Sequence, residues 1–509
     1  MNLISGKKSF VVPALLIFLL ITTSAAMLDC STYIGSYGTI KYPTVSSAYQ
    51  NSELRGVLLK YHWEPHNYDL ICKTIATYGF NALYAEVDIM AWTGHDISYF
   101  PDIINACNKY GLEFHVLVKF GHYDPSYTDQ SESSYPYGLS GSNPNWRMID
   151  ENGNYVDYSC FQKISVRNRV KQVIELILNL FPEIVDINFD YVRYEPVGSA
   201  VVCYCSECKD AFANWLAENG KDPIGPEWPG PFVYGGTRWK DFAEWRCNPV
   251  NNMIKDVRQW ALAKNPNLIF TADTWASYAS WEPDSYKEEI GQDPAYWISQ
   301  DYLDALNPMM YTDSVSTLTK MINDEQQYRL GNSKGAIPLV PFITQGGPGA
   351  DVDSPIPINT WIQMIDTIRQ KGCNGFVIWR YAGPGFTASD FTDITPYLSA
   401  IRDSTTKGEY PVFKQSRPSA IGSTITWQTS LPTTGKVEYS QTPLFTAIPK
   451  TGTHLPYLDI DYVAGTILSE PSVTQNHLIV VPLSPPFYFR IRDLDSNVEL
   501  ASRVFMVSE

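Results

Sequence analysis

The stretch Ile184-Val-Asp-Ile-Asn-Phe-Asp-Tyr-Val-Arg-Tyr194 has the composition of a buried β-strand that ends in polar residues. Successive side chains of a strand point to opposite faces, so Asp186, Asn188 and Asp190 share one face. Burying carboxylates and an amide there is unfavourable unless other groups pair with them. We therefore predict that this strand ends in a functional site containing Asp190 and the nearby Arg193. A structural Asp–Arg pair that joins two strands is the alternative.

Seven further apolar runs resemble strands, and segments with helical spacing separate them. The eight predicted strands are Arg55–His62, Ala82–Asp88, Phe114–Phe120, Ile184–Tyr194, Leu268–Trp275, Ala305–Thr312, Ile337–Thr344 and Gly375–Tyr381. The predicted helices include Asn67–Tyr78, Val166–Phe181, Trp239–Lys264, Ser316–Tyr328 and Asn359–Lys371. Eight βα repeats predict an α/β fold, a (β/α)8 TIM barrel over residues 54–405. A doubly wound sheet is the alternative, but the sequence lacks its Gly-rich first turn.

Polar residues cluster at the carboxyl ends of these predicted strands, where the active site of such a barrel lies. They are His62, Glu86, Asp88, Lys119, Asp190, Arg193, Asp273, Tyr311, Asp313, Gln345 and Arg380. Polar residues occur at the ends of eight predicted strands, and this agreement is stronger evidence for the position of the active site than any single motif. The sequence therefore predicts an active site at this end of the barrel.

The ends of the chain differ from the barrel region in character. Residues 1–26 have the features of an export signal, with Lys7 and Lys8 before an apolar run and Ser24 and Ala26 at a small-x-small cleavage site. They predict a signal peptide or an uncleaved N-terminal anchor, and hence a secreted or extracytoplasmic protein. Residues 27–53 form a lead-in segment. Residues 408–509 have short alternating runs that resemble a fibronectin-type-III-like β-sandwich.

Composition narrows the class of partner. The net charge of −16 argues against nucleic acid or anionic lipid as a partner, so any membrane contact is expected only through the N-terminal segment. No Walker or dinucleotide-type glycine loop occurs, which argues against a nucleotide cofactor. Aromatic residues make up 14% of the chain, a content that suits stacking on sugar rings but also suits filling a large core. The sequence predicts no particular oligomeric state.

Four cysteines form a second motif. Cys203, Cys205 and Cys208 lie within six residues, and Cys160 is a fourth candidate. Four thiolates are a common ligand set for structural zinc, and such a site leaves no open position for catalysis. We therefore expect no cofactor in catalysis and one structural zinc, with disulfides or free thiols as the alternatives.

The chain resembles the glycoside hydrolases of the glycosyl-hydrolase-like ten and thirteen groups. The resemblance rests on the fourth-strand signature Val185-Asp-Ile-Asn-Phe-Asp-Tyr-Val-Arg-Tyr-Glu-Pro196, although Ile187 replaces a usual glycine and Glu195 displaces the proline. Further matches are Ser165-Val-Arg167, Phe270-Thr-Ala-Asp-Thr-Trp275, Asp304-Ala-Leu-Asn-Pro-Met-Met-Tyr311 and Gly375-Phe-Val-Ile-Trp379. The resemblance covers roughly residues 53–400 and implies a barrel that hydrolyses glycosidic bonds. The cysteine cluster is similar to one in family 42 β-galactosidases, which implies the same zinc ligands here.

Glycoside hydrolysis needs two carboxyl groups across the scissile bond. We assign Asp190 as nucleophile or base, because a nearby arginine lowers the pKa of a carboxylate. Asp273 is its predicted partner, with Asp313 and Glu86 as alternatives. A structural role for Asp273, in capping a helix or pairing with Arg193, is an equal alternative.

Other polar and aromatic residues at the strand ends are predicted to contact a carbohydrate substrate. Trp63 is a further candidate for stacking on a sugar ring. For each of these aromatic residues, packing in the protein core is the alternative. The predicted substrate-binding set is His62, Glu86, Asn188, Arg193, Trp275, Tyr311, Asp313, Trp379 and Arg380.

The leading prediction is an exported glycoside hydrolase of a poly- or oligosaccharide. A catalytically inactive carbohydrate-binding barrel is the alternative. A metal-dependent polysaccharide deacetylase ranks below both: His62 and His66 have a metal-ligand spacing, but Pro65 between them argues against the helix it requires.

Overall fold

The computed structural model describes most of the chain from residue 51 onward. The described residues are 51–60, 66–90, 93–121, 123, 143–194, 202–276, 285–328, 337–346, 355–386, 393–403, 414–415, 418–450, 455–495 and 498–508. The predicted signal segment 1–26, nearly all of the lead-in segment, and the predicted site residues His62 and Trp63 lie outside them. Within the described ranges, no helix is both long enough and apolar enough to cross a membrane.

Eight parallel strands form a closed barrel, so the predicted (β/α)8 TIM barrel is confirmed. Each strand pairs with the next, and β8 pairs with β1. The strands are β1 (Leu54–Leu59), β2 (Ala82–Asp88), β3 (Glu113–Lys119), β4 (Asp186–Asp190), β5 (Ile269–Trp275), β6 (Ala305–Met309), β7 (Phe342–Thr344) and β8 (Gly375–Trp379). The longer helices between and after them are Tyr68–Thr77, Phe100–Tyr110, Ile164–Leu180, Ser206–Glu218, Trp239–Lys264, Val315–Tyr328, Ile358–Gln370 and Thr395–Asp403.

Strand β4 is shorter than predicted. It ends at Asp190 rather than at Tyr194, because Tyr191 adopts a left-handed backbone conformation with φ 51°. This conformation is uncommon for a residue with a side chain and turns the chain out of the strand. Asp190 therefore lies at the rim of the barrel.

The barrel closes between β8 and β1 at a glycine. Gly375 pairs with Leu54 and has φ 144°. A Cβ atom at this position would lie 2.1 Å from the Leu54 carbonyl oxygen, so only glycine allows the two backbones to approach.

As predicted, β4 has one apolar face and one polar face. Ile187 and Phe189 are buried in the main apolar core, and Phe189 stacks on Phe270. The other face contributes polar side chains to the barrel interior. A small apolar cluster fills another part of that interior: Leu54, Leu58, Ala82, Tyr84, Leu117, Val340, Phe342 and Val377.

The C-terminal region is a separate antiparallel sheet domain, as expected for an all-β module. Its strands are Lys414–Gln415, Ser419–Ile421, Thr424–Ser440, Phe445–Lys450, Tyr457–Tyr462, Thr466–Val480, Phe487–Asp495, Val498–Ala501 and Phe505–Val507. The alternating runs Thr424–Gln428 and Lys436–Tyr439 are parts of one irregular strand. The lead-in residues Asn51–Ser52 pair with Lys414–Gln415 and so join the same sheet.

This domain is attached to the barrel by buried charges. Arg503 contacts both Asp301 and Asp304, which directly precede β6, and Arg258 lies 3.1 Å from Asp304. Arg503 and Asp304 are each buried. The ion pairs therefore attach the sheet domain near the amino-terminal end of the barrel, opposite the predicted active site.

Candidate active site

Ionisable side chains from four neighbouring strands meet at the carboxyl end of the barrel. Lys119 on β3 is paired in register with Asp88 on β2 and with Asp190 on β4. Glu86, Asp88, Asp190 and Asp273 are all buried. The structure thus brings together the two predicted catalytic residues, Glu86, and Lys119.

Lys119 is the central cation of this group. Its Nζ lies 3.9 Å from Glu86 Oε2 and 3.7 Å from Asp88 Oδ2. Although burial disfavours its charged form, the charges of Glu86 and Asp88 raise the pKa of Lys119. Lys119 therefore stays protonated and compensates the carboxylates of β2 and β4.

Asp190 is held in place by the turn that follows it. Its Oδ1 accepts a hydrogen bond of 2.7 Å from the Tyr191 N–H, a donor that the left-handed turn directs back to the strand. The sequence predicts that Arg193 lowers the pKa of Asp190; its charge does act in that direction, but the net shift is upward. Burial raises the pKa of Asp190, and the charges of Arg193 and Lys119 offset that effect only in part.

Asp273 lies on β5 beside Asp190. The register pairs Phe189 with Ala272, and each aspartate is the next residue on its strand. Asp273 Oδ1 accepts a hydrogen bond of 2.9 Å from Asn188 Nδ2. Burial, reinforced by the negative charge of Asp190, raises the pKa of Asp273 well above its usual range. The pair thus consists of two carboxyl groups that disfavour each other's ionisation.

Cations lie over two of the predicted sugar-binding rings, Trp275 and Trp379, and over Tyr191. The Arg193 guanidinium is 4.5 Å from the Tyr191 ring centroid and 5.2 Å from that of Trp275. Lys60 Nζ is 5.0 Å from the ring centroid of Trp379. Cation–π attraction fixes these rings and their cations at the barrel mouth.

The remaining predicted residues in the described ranges contact one another or lie at the surface, and do not join the buried carboxyl groups. Tyr311 packs against Trp379 with 6.1 Å between ring centroids, and the peptide bond from Trp379 to Arg380 is cis. Gln345 Nε2 donates to the Arg380 carbonyl oxygen at 3.1 Å. Asp313 is exposed and does not belong to the buried carboxyl group.

Two residues of this site, Lys60 and Asp96, are not among the predicted site residues. Lys60 follows β1, and burial lowers its pKa, with a further contribution from the charge of Arg380. Lys60 lies near the end of the predicted strand Arg55–His62, and that position could have marked it as a site residue. Asp96 belongs to a short helix after β2, and its Oδ2 accepts a hydrogen bond of 2.7 Å from the Asp88 N–H. No strand pattern marks such a loop residue.

The four cysteines meet as the sequence predicted. Cys160, Cys203, Cys205 and Cys208 are buried, and their Sγ atoms all lie within 4.8 Å of one another. Cys160 Sγ is 3.8 Å from Cys205 Sγ and 3.5 Å from Cys208 Sγ. A tetrahedral site with Zn–S bonds of about 2.3 Å places its sulfur atoms roughly 3.8 Å apart, so the donor set fits zinc. All eight cysteines in the described residues are free thiols.

Comparison with known proteins identifies the fold. No protein family model matches the chain, and neither does any curated protein sequence. Gan42B, a GH42 β-galactosidase from G. stearothermophilus, superposes with a TM-score of 0.51 at 11% identity, over 71% of this chain and 57% of that protein. The barrel has a glycoside-hydrolase-like fold.

Two further solved structures are similar at lower TM-scores. The β-galactosidase of Marinomonas ef1 has a TM-score of 0.47 at 12% identity, over 68% of this chain and 58% of that protein. The endo-β-1,4-mannanase of Thermotoga petrophila has a TM-score of 0.42 at 10% identity, over 90% of this chain and 99% of that protein. The chain spans less than two thirds of the β-galactosidases that it matches.

Proposed function

We propose that the protein is a glycoside hydrolase that cleaves O-glycosidic bonds of a poly- or oligosaccharide at the carboxyl end of the barrel. The observation that supports this most directly is the adjacent, buried pair Asp190 and Asp273. Two carboxyl groups that oppose each other's ionisation favour one charged and one protonated member. Glycoside hydrolysis requires one group in each of these states.

In this proposal the two carboxyl groups have different roles. Asp190 is the ionised nucleophile or base, because Arg193 and Lys119 both favour its charged form. Asp273 is the general acid, because its pKa is raised further and Asp190 adds to that effect. Protonation of the leaving oxygen by Asp273 and attack of Asp190 on the anomeric carbon would cleave the bond and leave the sugar esterified to Asp190. Water, deprotonated by Asp273, would then hydrolyse this ester and restore both carboxyl groups.

The distance between strands relates the identity of the second carboxyl group to the stereochemical outcome of hydrolysis. Neighbouring strands lie about 4.8 Å apart, which suits the separation of roughly 5–5.5 Å in retaining enzymes. Glu86 lies on β2, two strands from Asp190 and offset from it along the strands, so an Asp190–Glu86 pair is more widely separated, as in inverting enzymes. The Asp190–Asp273 pair therefore predicts retention, whereas an Asp190–Glu86 pair predicts inversion.

We propose a structural zinc as a second feature, held by Cys160, Cys203, Cys205 and Cys208. A closed set of four thiolates would fix the loop after β4 to the segment before the helix Ile164–Leu180. We also propose that the protein is exported, on the basis of the sequence of residues 1–26.

The experiment that tests the hydrolase proposal is reducing-sugar release from a panel of polysaccharides and oligosaccharides, including β-galactosides and β-mannans. Anomeric configuration of the first product, followed by NMR, assigns the stereochemistry. Release with retained configuration supports Asp190 and Asp273 as the pair. Binding of a glycan without release would instead favour the inactive carbohydrate-binding barrel.

A further inference from the structure

A chain of buried hydrogen bonds runs through the barrel from its amino-terminal end to Asp273. Asp186 Oδ2 lies 3.0 Å from His115 Nδ1 and accepts a hydrogen bond of 2.8 Å from Thr271 Oγ1. Asn188 Nδ2 donates to Thr271 Oγ1 at 2.8 Å and to Asp273 Oδ1 at 2.9 Å. These side chains are fully buried or almost so. These hydrogen bonds therefore link His115, which lies far from the barrel mouth, to Asp273, the proposed acid.

Chemistry fixes the direction of each hydrogen bond. An ionised Asp186 only accepts, so the Thr271 hydroxyl must donate to it and can only accept from Asn188. The Asn188 amide must consequently present its NH2 group, not its oxygen, to Thr271. Its second N–H is then directed to Asp273 Oδ1. Within the described residues, Asn188 Oδ1 has no hydrogen-bond partner, which agrees with an amide oriented by its donors.

His115 supplies the charge at the far end. Its Nε2 lies 3.5 Å from Glu113 Oε2, so both ring nitrogens face carboxylates, and Tyr84 stacks on the ring at 4.4 Å. Although burial favours the neutral ring, the hydrogen bond to Asp186 and the negative charge of Glu113 raise the pKa of His115 to about 9. Burial raises the pKa of Asp186, and the hydrogen bond and charge of the His115 imidazolium oppose that shift and so favour the ionised, accepting form.

We propose that the side chains His115, Asp186, Thr271 and Asn188 form a positioning relay that places the acidic proton of Asp273 on Oδ2. Because Asn188 donates to Oδ1, the other oxygen is the one left to carry the proton. The charged groups that act on Asp273 are Asp190, Asp186 and Arg193. A proton on Oδ2 is available to a leaving group, whereas a proton on Oδ1 would be directed into the barrel. This inference rests on the proposed function.

The test uses a matched pair of variants at the middle of the relay. Thr271→Val keeps the shape of the side chain and removes the hydroxyl, whereas Thr271→Ser retains the hydroxyl. In Thr271→Val the Asn188 amide loses its fixed orientation, so we expect the pKa of Asp273 to rise by about one unit. The readout is infrared difference titration of carboxyl groups, with Asp273→Asn identifying the band. Thr271→Ser should titrate like the wild type.

On a substrate that the wild type cleaves, Thr271→Val should lower kcat about tenfold with little change in KM, and should move the basic limb of the pH profile upward. His115→Gln, at the far end, should also shift the Asp273 titration if Thr271→Val does not fold. An unchanged Asp273 titration in a folded Thr271→Val or His115→Gln variant would overturn the relay. Absence of sugar release by the wild type would overturn only the proposed function, because the titration does not require turnover.

Discussion

Asp190 and Asp273 lie next to each other on neighbouring strands, each directly after the paired residues Phe189 and Ala272. Burial raises the pKa of both, and the charge of Asp190 raises that of Asp273 further. A barrel strand selected for packing alone would carry apolar residues at these positions. Lys119, Arg193 and the Tyr191 N–H compensate part of the cost. The arrangement therefore favours protonation of Asp273 over that of Asp190.

Replacing Asp273 with asparagine should remove the general acid and keep the hydrogen bond to Asn188 within reach. We expect kcat to fall by roughly a hundredfold to ten-thousandfold, with the loss of the basic limb of the pH–rate profile. The comparison variant is Glu86→Gln. If Glu86→Gln removes the basic limb and Asp273→Asn does not, Glu86 is the acid.

The buried His115 predicts how stability depends on pH. Its pKa is about 9 in the folded protein against 6.5 for an unperturbed histidine. A group whose pKa is raised on folding stabilises the folded state fully below the unfolded pKa and loses that effect as pH rises through the folded pKa. Its contribution, up to about 3 kcal/mol, should therefore decline between pH 6.5 and about 9.

Thermal unfolding of wild type and His115→Gln across this pH range measures the effect. The difference in melting temperature between the two proteins should be largest near pH 6 and should shrink towards pH 9. Parallel curves across the whole range would show that His115 does not change its protonation on folding.

Zinc should bind at one ion per chain, and Cys208→Ser should abolish that binding. Thiolate coordination stabilises the folded state, so strong chelators and Cys208→Ser should both lower the melting temperature. Elemental analysis of the purified protein measures the metal content. Cys373→Ser, which changes a buried thiol outside the cluster, is the control and should retain the zinc. A wild-type protein that purifies without zinc and does not gain stability on adding it would contradict the proposal.

Arg503 should be important for stability, because it contributes the buried cation between the sheet domain and the barrel. Its removal leaves Asp301 and Asp304 with less compensation, and breaking such a buried pair typically costs about 3–5 kcal/mol. Denaturant unfolding of Arg503→Ala should show this loss. Lys450→Ala, which removes a cation from an exposed pair in the same domain, should change stability by less than about 1 kcal/mol.

The sequence was sufficient to predict the barrel and much of its mouth. Apolar runs separated by amphipathic segments predicted every barrel strand, because strands covered on both faces are apolar along their length and the helices that cover them are apolar on one side. The same patterns placed Asp190 and Asp273 at strand ends. They could not predict that β4 stops at Asp190, since the left-handed conformation of Tyr191 depends on tertiary contacts rather than on residue type.

The protonation states were less predictable than the positions. Arg193 lies close in sequence to Asp190, which suggested a lowered pKa, but the depth of burial is a property of the folded barrel and has the larger effect. The relay through His115 and Thr271 joins residues 156 positions apart along the chain, and no local motif marks it. Asp96 was missed for the same reason, since it reaches Asp88 from a loop helix.

The measurement that tests the central claim most directly is a double-mutant cycle on the best substrate from the glycan panel. It compares wild type, Asp190→Asn, Asp273→Asn and the double variant, with Asp102→Asn on the exposed face of the helix Phe100–Tyr110 as the control. If the two aspartates act as one catalytic pair, Asp190→Asn should lower kcat/KM by about a thousandfold or more, and the double variant should be hardly slower than the slower single variant. Near-wild-type activity in Asp190→Asn, or a loss as large in Asp102→Asn, would contradict the account.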